Sequence, residues 1–310
     1  MNDKNILTGF ADEAGSDIDT QIKATQMLGW KYIEARNIDG VNIHNLPIDK
    51  FEIVCSKLEE AGIQVYCFGS EVANWAKDPL NDDDFKSSIE ELERAIDRME
   101  ILGTKFLRAM SFRRFNRYND ITPDIERKIF SKIEYLVKMC EDAGVFFLHE
   151  NCMNYGGMSY QHTLKLLENI NSSALKLVFD TGNPVITYDY SKKEPYPKQD
   201  PMEFYRNVRD FIGHIHIKDP VYLNEGRPGS IFPNAEYHFP GEGDAKVREI
   251  TYSLLQSGYK GAFSIEPHMN IIFHKSKHKN QISPDTKFEN YIQYGKYFIN
   301  MVDEITLNLS

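Results

Sequence analysis

Hydrophobic positions along the chain fall into short runs, each followed by a longer amphipathic stretch. Residues 6–10 form a brief apolar run that stops at Ala11-Asp12-Glu13, and a helical period over 18–28 follows, closed by Gly29. The same pairing recurs. A strand at 32–36 precedes a helix at 51–61, and one at 63–68 precedes a helix marked by Phe85, Ile89, Leu92, Ile96 and Met99 at three- and four-residue steps. Asp82, Asp83 and Asp84 stand at its start, as caps and dipole partners. Strands at 105–110, 145–148 and 175–179 lead into helices at 129–143, 163–170 and 204–211. The run 212–219 leads into a helix at 244–257, and 262–265 into a closing helix at 288–302. Glycines 62, 103, 144 and 258 end four of these helices.

Eight strand-then-helix units with short turns predict an α/β fold, a (β/α)₈ TIM barrel, with residues 1–310 as a single domain. No Gly-, Ser- or Pro-rich linker interrupts the rhythm. The exception is 221–239, a long aperiodic loop after strand 7, on the side where barrel enzymes keep their active-site loops. It is expected to be a lid or a partner-contact loop.

Composition narrows the function classes. Hydrophobic content of 41% and charged content of 26% are ordinary for a globular protein, and 310 residues suffice for a large core. A net charge of −10 argues against a nucleic-acid partner, which calls for a basic stripe. Cys55, Cys67, Cys140 and Cys152 form no CxxC pair and read as reduced thiols of a cytoplasmic protein. The amino terminus shows no signal-peptide pattern, and no run is long enough to span a membrane. A homo-oligomer is compatible with these features.

Candidate chemistry centres on 212–219, Ile-Gly-His-Ile-His-Ile-Lys-Asp. As a strand, it puts His214, His216 and Lys218 on one face and Ile215 and Ile217 on the other. Such a face is either a pair of hydrogen-bonded core imidazoles or the lining of a site. Three other strands also end in ligand-type residues: Glu150, Asp180 and Glu266. A single carboxylate at a strand end is ordinarily a helix cap, but four successive strand ends of this kind converge on one barrel rim. Three carboxylates and one imidazole suit Mn²⁺, Mg²⁺ or Co²⁺ better than a thiolate-type zinc site.

The motifs His-Glu-Asn at 149–151, Phe-Asp-Thr-Gly-Asn at 179–183 and His-Ile-His-Ile-Lys-Asp at 214–219 resemble the sugar phosphate isomerase/epimerase group of xylose-isomerase-like barrels. Pro-Gly-Glu-Gly-Asp at 240–244 and Ser-Ile-Glu-Pro-His at 264–268 add to the likeness. The group also includes ketohexose 3-epimerases and endonuclease IV. The resemblance implies one divalent ion, Mn²⁺ first, with Mg²⁺, Co²⁺ or Zn²⁺ as alternatives, held by Glu150, Asp180, His216 and Glu266. It also implies that Glu150 and Glu266 exchange protons with a small sugar or sugar-like ketone, by isomerisation or epimerisation through an enediolate. The alternatives are a lyase on the same site (a dehydratase or a C-glycoside-cleaving subunit), an endonuclease IV-like nuclease, and a non-catalytic metal-holding subunit. The chain departs from the 3-epimerase pattern at two substrate-contact positions. Asn183 stands where those proteins have a histidine, and Tyr222 where they have an arginine, which weighs against a free ketohexose.

Further positions carry two readings each. Asn183 and Lys218 are expected to contact substrate, Lys218 alternatively pairing with a neighbouring acid. Trp75, Phe68 and Phe112 either stack on a sugar ring or simply pack. His268 is expected as an outer substrate contact and His214 as a hydrogen-bonded support one layer below the metal ligands. Glu34 and Arg36 either reach the substrate or form an ion pair, and His149 points away from the mouth.

Overall fold

Eight parallel strands close into a barrel in the computed structural model, which describes residues 5–114, 121–224, 233–269 and 284–310. The strands are β1 (Ile6–Gly9), β2 (Tyr32–Ala35), β3 (Gln64–Gly69), β4 (Phe106–Ala109), β5 (Phe146–Glu150), β6 (Leu175–Asp180), β7 (Ile212–Ile217) and β8 (Ala262–Ile265). Neighbours pair in sequence order around the barrel, and β8 pairs with β1. Between β1 and β2 the ladder is reduced to the single bridge Phe10–Glu34. The single-domain barrel read from the sequence is therefore the fold of the protein.

Helices α1 (Ile18–Met27), α2 (Ile48–Ala61), α3 (Asp82–Leu102), α4 (Pro123–Asp142), α5 (Tyr160–Ile170), α6 (Pro201–Val208), α7 (Val247–Gln256) and α8 (Pro284–Leu309) lie between and after the strands. Several begin earlier than their apolar period. Pro123 and Pro201 open α4 and α6, where the missing N–H is no loss, and Thr122 and Asp200 cap them. The cap of α3 is Asn81; Asp82, Asp83 and Asp84 occupy its first turn, where they complement the helix dipole. Gly62 and Gly103 end α2 and α3 with φ of 65° and 67°, a conformation that disfavours any residue with a Cβ.

Two apolar clusters fill the space between the sheet and the helices, one centred on β2 to β5 and one on β6 to β8, with Leu7 of β1 packed against the second. Inside the barrel the apolar filling is small, with Cys67, Leu148 and Val178 at its heart. The expected aperiodic loop after β7 is instead an antiparallel hairpin, Pro220–Asn224 paired with Asn234–Tyr237; residues 225–232 between them lie outside the described residues. A two-stranded ribbon satisfies its own backbone without an apolar face, so the sequence carries no period to read. Asp219 anchors its base by accepting from the backbone N–H of Gly241, Gly243 and Ala245 at 2.7, 3.1 and 2.9 Å. Among the described residues no helix is long and apolar enough to cross a membrane.

Candidate metal centre

Strand alternation delivers the side chains as the sequence implied. On β7, His214 and His216 are fully buried inside the barrel, while Ile215 and Ile217 face the helices. On β5, Glu150 points inward. His149 points outward, where its Nε2 lies 3.0 Å from Ser111 Oγ and 3.1 Å from Asn154 Oδ1.

Glu150, Asp180, His216 and Glu266 converge, with one ligand atom from each lying within 4.8 Å of all the others. Ligands held roughly 2.0–2.3 Å from one ion must sit at about such separations. Each side chain is also oriented from behind. Asp180 Oδ1 accepts from the N–H groups of Gly182 and Asn183 at 2.8 and 2.7 Å, which leaves Oδ2 turned to the cluster. Glu34 lies 3.1 Å from His216 Nε2, so Nδ1 faces Glu150 and Glu266, 3.8 Å from each. His216 Nδ1 is buried without a hydrogen-bond partner, while Asp180 Oδ2 meets the Lys218 ammonium 2.9 Å away. An unpartnered imidazole nitrogen among three converging carboxylates fits a bound cation, which would take the place of its proton.

Charge balance in the cluster is tight. Burial raises Glu150, but Arg108, 2.5 Å away, and His216 outweigh it and hold the carboxyl at about 2. Burial likewise works against Glu266, yet Lys218 first, then His268, His216 and Arg36 keep it well below the usual carboxylate range. Asp180 goes the other way. Burial first, then Glu266 and Glu150, push it to about 7 against the pull of Lys218. Against a burial effect that lowers it, Glu34 and Glu150 raise His216 to about 10. With so many carboxylates in one dry volume, a divalent cation would relieve the strain on Asp180 directly.

The remaining sequence candidates sort as follows. Asn183 Nδ2 donates to Glu150 Oε1 at 3.2 Å, inside the cluster. Lys218 Nζ lies 2.9 Å from both Asp180 Oδ2 and Glu266 Oε2, so it pairs with two acids of the cluster at once. His214 Nε2 bonds Glu34 Oε2 at 2.8 Å, which makes Glu34 a shared support for both imidazoles. His268 Nδ1 is 2.7 Å from Glu13 Oε1 and its Nε2 3.6 Å from Glu266 Oε1. Trp75 is half-buried after β3 and packs on the second apolar cluster, while Phe68 and Phe112 are fully buried in the first. Burial pushes the Cys152 thiol up, so it is no ready nucleophile.

Arg108 and Glu13 were missed by the sequence reading. The signal for Arg108 was available: an arginine inside the apolar strand Phe106–Ala109 must find a buried acid. Glu13 ends the stretch Gly-Phe-Ala-Asp-Glu at 9–13, weakly in the style of the same group, but its partner His268 is 255 positions away and nothing local points to it. A cavity of about 210 Å³ opens beside Glu266, lined in part by Asp12, Glu13, Arg36, His268, Lys287 and Tyr291.

Comparison with known proteins bears on the fold and the family. An inosose dehydratase from Bacillus thuringiensis (strain Al Hakam) is 24% identical over 146 residues, 45% of this chain and 46% of that protein. The chain thus spans about half the length of the curated relatives it matches. A D-tagatose 3-epimerase-like protein superposes with a TM-score of 0.70 at 15% identity, covering 98% of this chain and 100% of the other. A xylose isomerase-like TIM barrel protein from Mycobacterium smegmatis, solved with magnesium, superposes with a TM-score of 0.65 at 14% identity, over 96% and 97% of the chains. Residues 22–286 match the family described as xylose isomerase-like TIM barrel, and the chain belongs to that family.

Proposed function

We propose that the protein is a divalent-metal-dependent enzyme that moves a proton beside the carbonyl of a small polyhydroxylated ketone, with isomerisation or epimerisation as the outcome. The observation that carries this reading is the pair Glu150 and Glu266, each 3.8 Å from His216 Nδ1 and each held by its own cations. Glu150, Asp180, His216 and Glu266 are the proposed ligands, and the oxygen-rich set favours Mn²⁺, with Mg²⁺ or Co²⁺ next. A metal bound there supplies Lewis acidity to the carbonyl and its neighbouring hydroxyl.

The chain's own residues do the rest. Arg108 and Asn183 fix the Glu150 carboxylate, which stays ionised and able to take a proton from the carbon beside the carbonyl. Glu266, placed by Arg36, Lys218 and His268, faces the same space; a proton passed to it from the Lys218 ammonium, 2.9 Å away, is the one it returns there or at the adjacent carbon. The Lys218 ammonium is poised to donate to a substrate oxygen that gains charge. His214, through Glu34, steadies His216. His268 and the cavity beside Glu266 provide the outer contacts, and Trp75 is proposed as a flank of the entrance.

A second reading, dehydration, is favoured by the dehydratase among the relatives. It shares the proton abstraction and differs in expelling a β-hydroxyl afterwards. The test is metal analysis, followed by deuterium uptake from D₂O into a panel of keto-sugars and inososes. Uptake should fall roughly 10²–10⁴-fold in Glu150→Gln and in Glu266→Gln. An enone absorbance growing with uptake assigns dehydration, and uptake near the wild-type rate in either variant sinks the acid/base assignment.

A further inference from the structure

Beyond the acid cluster, one cation is placed in a way that nothing in the proposed chemistry uses. Lys198 Nζ sits between two tyrosine rings, 3.8 Å from the centroid of Tyr188 and 3.4 Å from that of Tyr222. It is buried and has no hydrogen-bond partner. Burial, with Arg114 nearby, lowers it to about 8. A second cation nearby adds to the electrostatic cost of this ammonium. Ammonium groups carry three donors, and leaving all three dry is costly unless an acceptor arrives.

The position is tied to the proposed centre by a short chain of bonds. Asn183, which donates to Glu150, accepts at its carbonyl from Thr187 Oγ1 at 2.7 Å. Gln199, next to Lys198, donates to that hydroxyl at 3.0 Å and to the carbonyls of Tyr188 and Gly157 at the same distance. Tyr188 bridges to Lys198 across the backbone, and its hydroxyl lies 3.5 Å from that of Tyr222. Tyr222 belongs to the hairpin that begins just after Lys218. The spot therefore stands on the same rim, over the segment leaving β6.

We propose that Lys198, with the hydroxyls of Tyr188 and Tyr222, is a subsite for an anionic substituent, a carboxylate or a phosphate, at the end of the substrate remote from its reacting carbonyl. This deepens the function proposed above and rests on it for the placement of the carbonyl. An oxyanion arriving at Nζ exchanges one face of cation–π contact for charge-assisted hydrogen bonds, the stronger interaction, and both rings are partly exposed.

The test is calorimetric titration of metal-free protein with inorganic phosphate and, separately, with malonate, in the wild type, Lys198→Met, Lys198→Gln and Lys198→Arg. At least one anion should bind saturably, and affinity should fall roughly tenfold to a hundredfold in the Met and Gln variants, the range of a lost charge-assisted hydrogen bond, while Arg restores much of it. The anion preferred tells phosphate from carboxylate. Two neutral replacements guard against one failing to fold, with thermal melts as the check. No saturable binding, or equal affinity in wild type and neutral variants, overturns the proposal; the latter places the anion elsewhere, as at Arg36 and Lys287. No turnover enters this measurement. Lys198-dependent binding without deuterium uptake would sink the metal chemistry alone, and uptake with Lys198-independent binding would sink the subsite alone.

Discussion

The two halves of the barrel rim are built on different principles. Strands β5 to β8 end in Glu150, Asp180, His216 and Glu266, the residues whose own atoms converge on one point. Strand β2, the residue just after it and strand β4 contribute Glu34, Arg36 and Arg108, none of which belongs to that set, yet each bonds a member of it. One half offers the proposed ligands and the other holds them. The difference teaches that a buried cluster of acids is not assembled by its acids alone: Arg108 for Glu150, Arg36 for Glu266 and Glu34 for His216 decide their charge and direction.

The comparison can be broken most forcefully at Arg108. Arg108→Met leaves Glu150 buried beside other carboxylates without its counter-ion. We expect a loss of about 3–5 kcal/mol in urea unfolding of metal-free protein, the usual consequence of orphaning one member of a buried pair. Added Mn²⁺ should restore part of it. Unchanged stability would mean that the supporting half is dispensable.

Removing orientation rather than charge balance should do less. Glu34→Gln keeps the size of the side chain but weakens its hold on both imidazoles, and metal affinity should fall roughly 10- to 100-fold. Equilibrium dialysis with Mn²⁺ measures it, and wild-type affinity in the variant would separate Glu34 from the ligand set.

The smallest effect contrasts two settings for histidine. His214 and His216 share a carboxylate, whereas His44, buried beyond β2, has Lys77, Arg94 and Arg98 around it. Burial first, then those cations, lowers His44 to about 3 from an ordinary 6.5. The folded state thus refuses a proton that the unfolded chain accepts. The stability contribution is complete above pH 6.5 and is lost as pH falls below it, levelling off near 3. Between pH 7 and 5.5 the wild type should lose about 1 kcal/mol more than His44→Met. Parallel urea-stability curves for the two proteins over that interval would show that His44 is not held neutral.

The barrel itself was legible in the amino acids because each strand is a short apolar run and each helix carries its own period, so both signals are local. The converging cluster was legible for a related reason: β7 alternates His, Ile, His, Ile, and strand-end acids announce themselves once eight units are counted. The hairpin after β7 was not, since its two strands satisfy one another's backbone and carry no buried face. Nor were the pairings of Arg108 with Glu150, Glu13 with His268 and Lys218 with two ligands at once. By itself the sequence determined the elements, their order and the residue types at each strand end. Only closure of the barrel decided which charge meets which, because those pairs are separated by 38 to 255 positions along the chain. In a dry interior that pairing, rather than residue type, sets each group's charge.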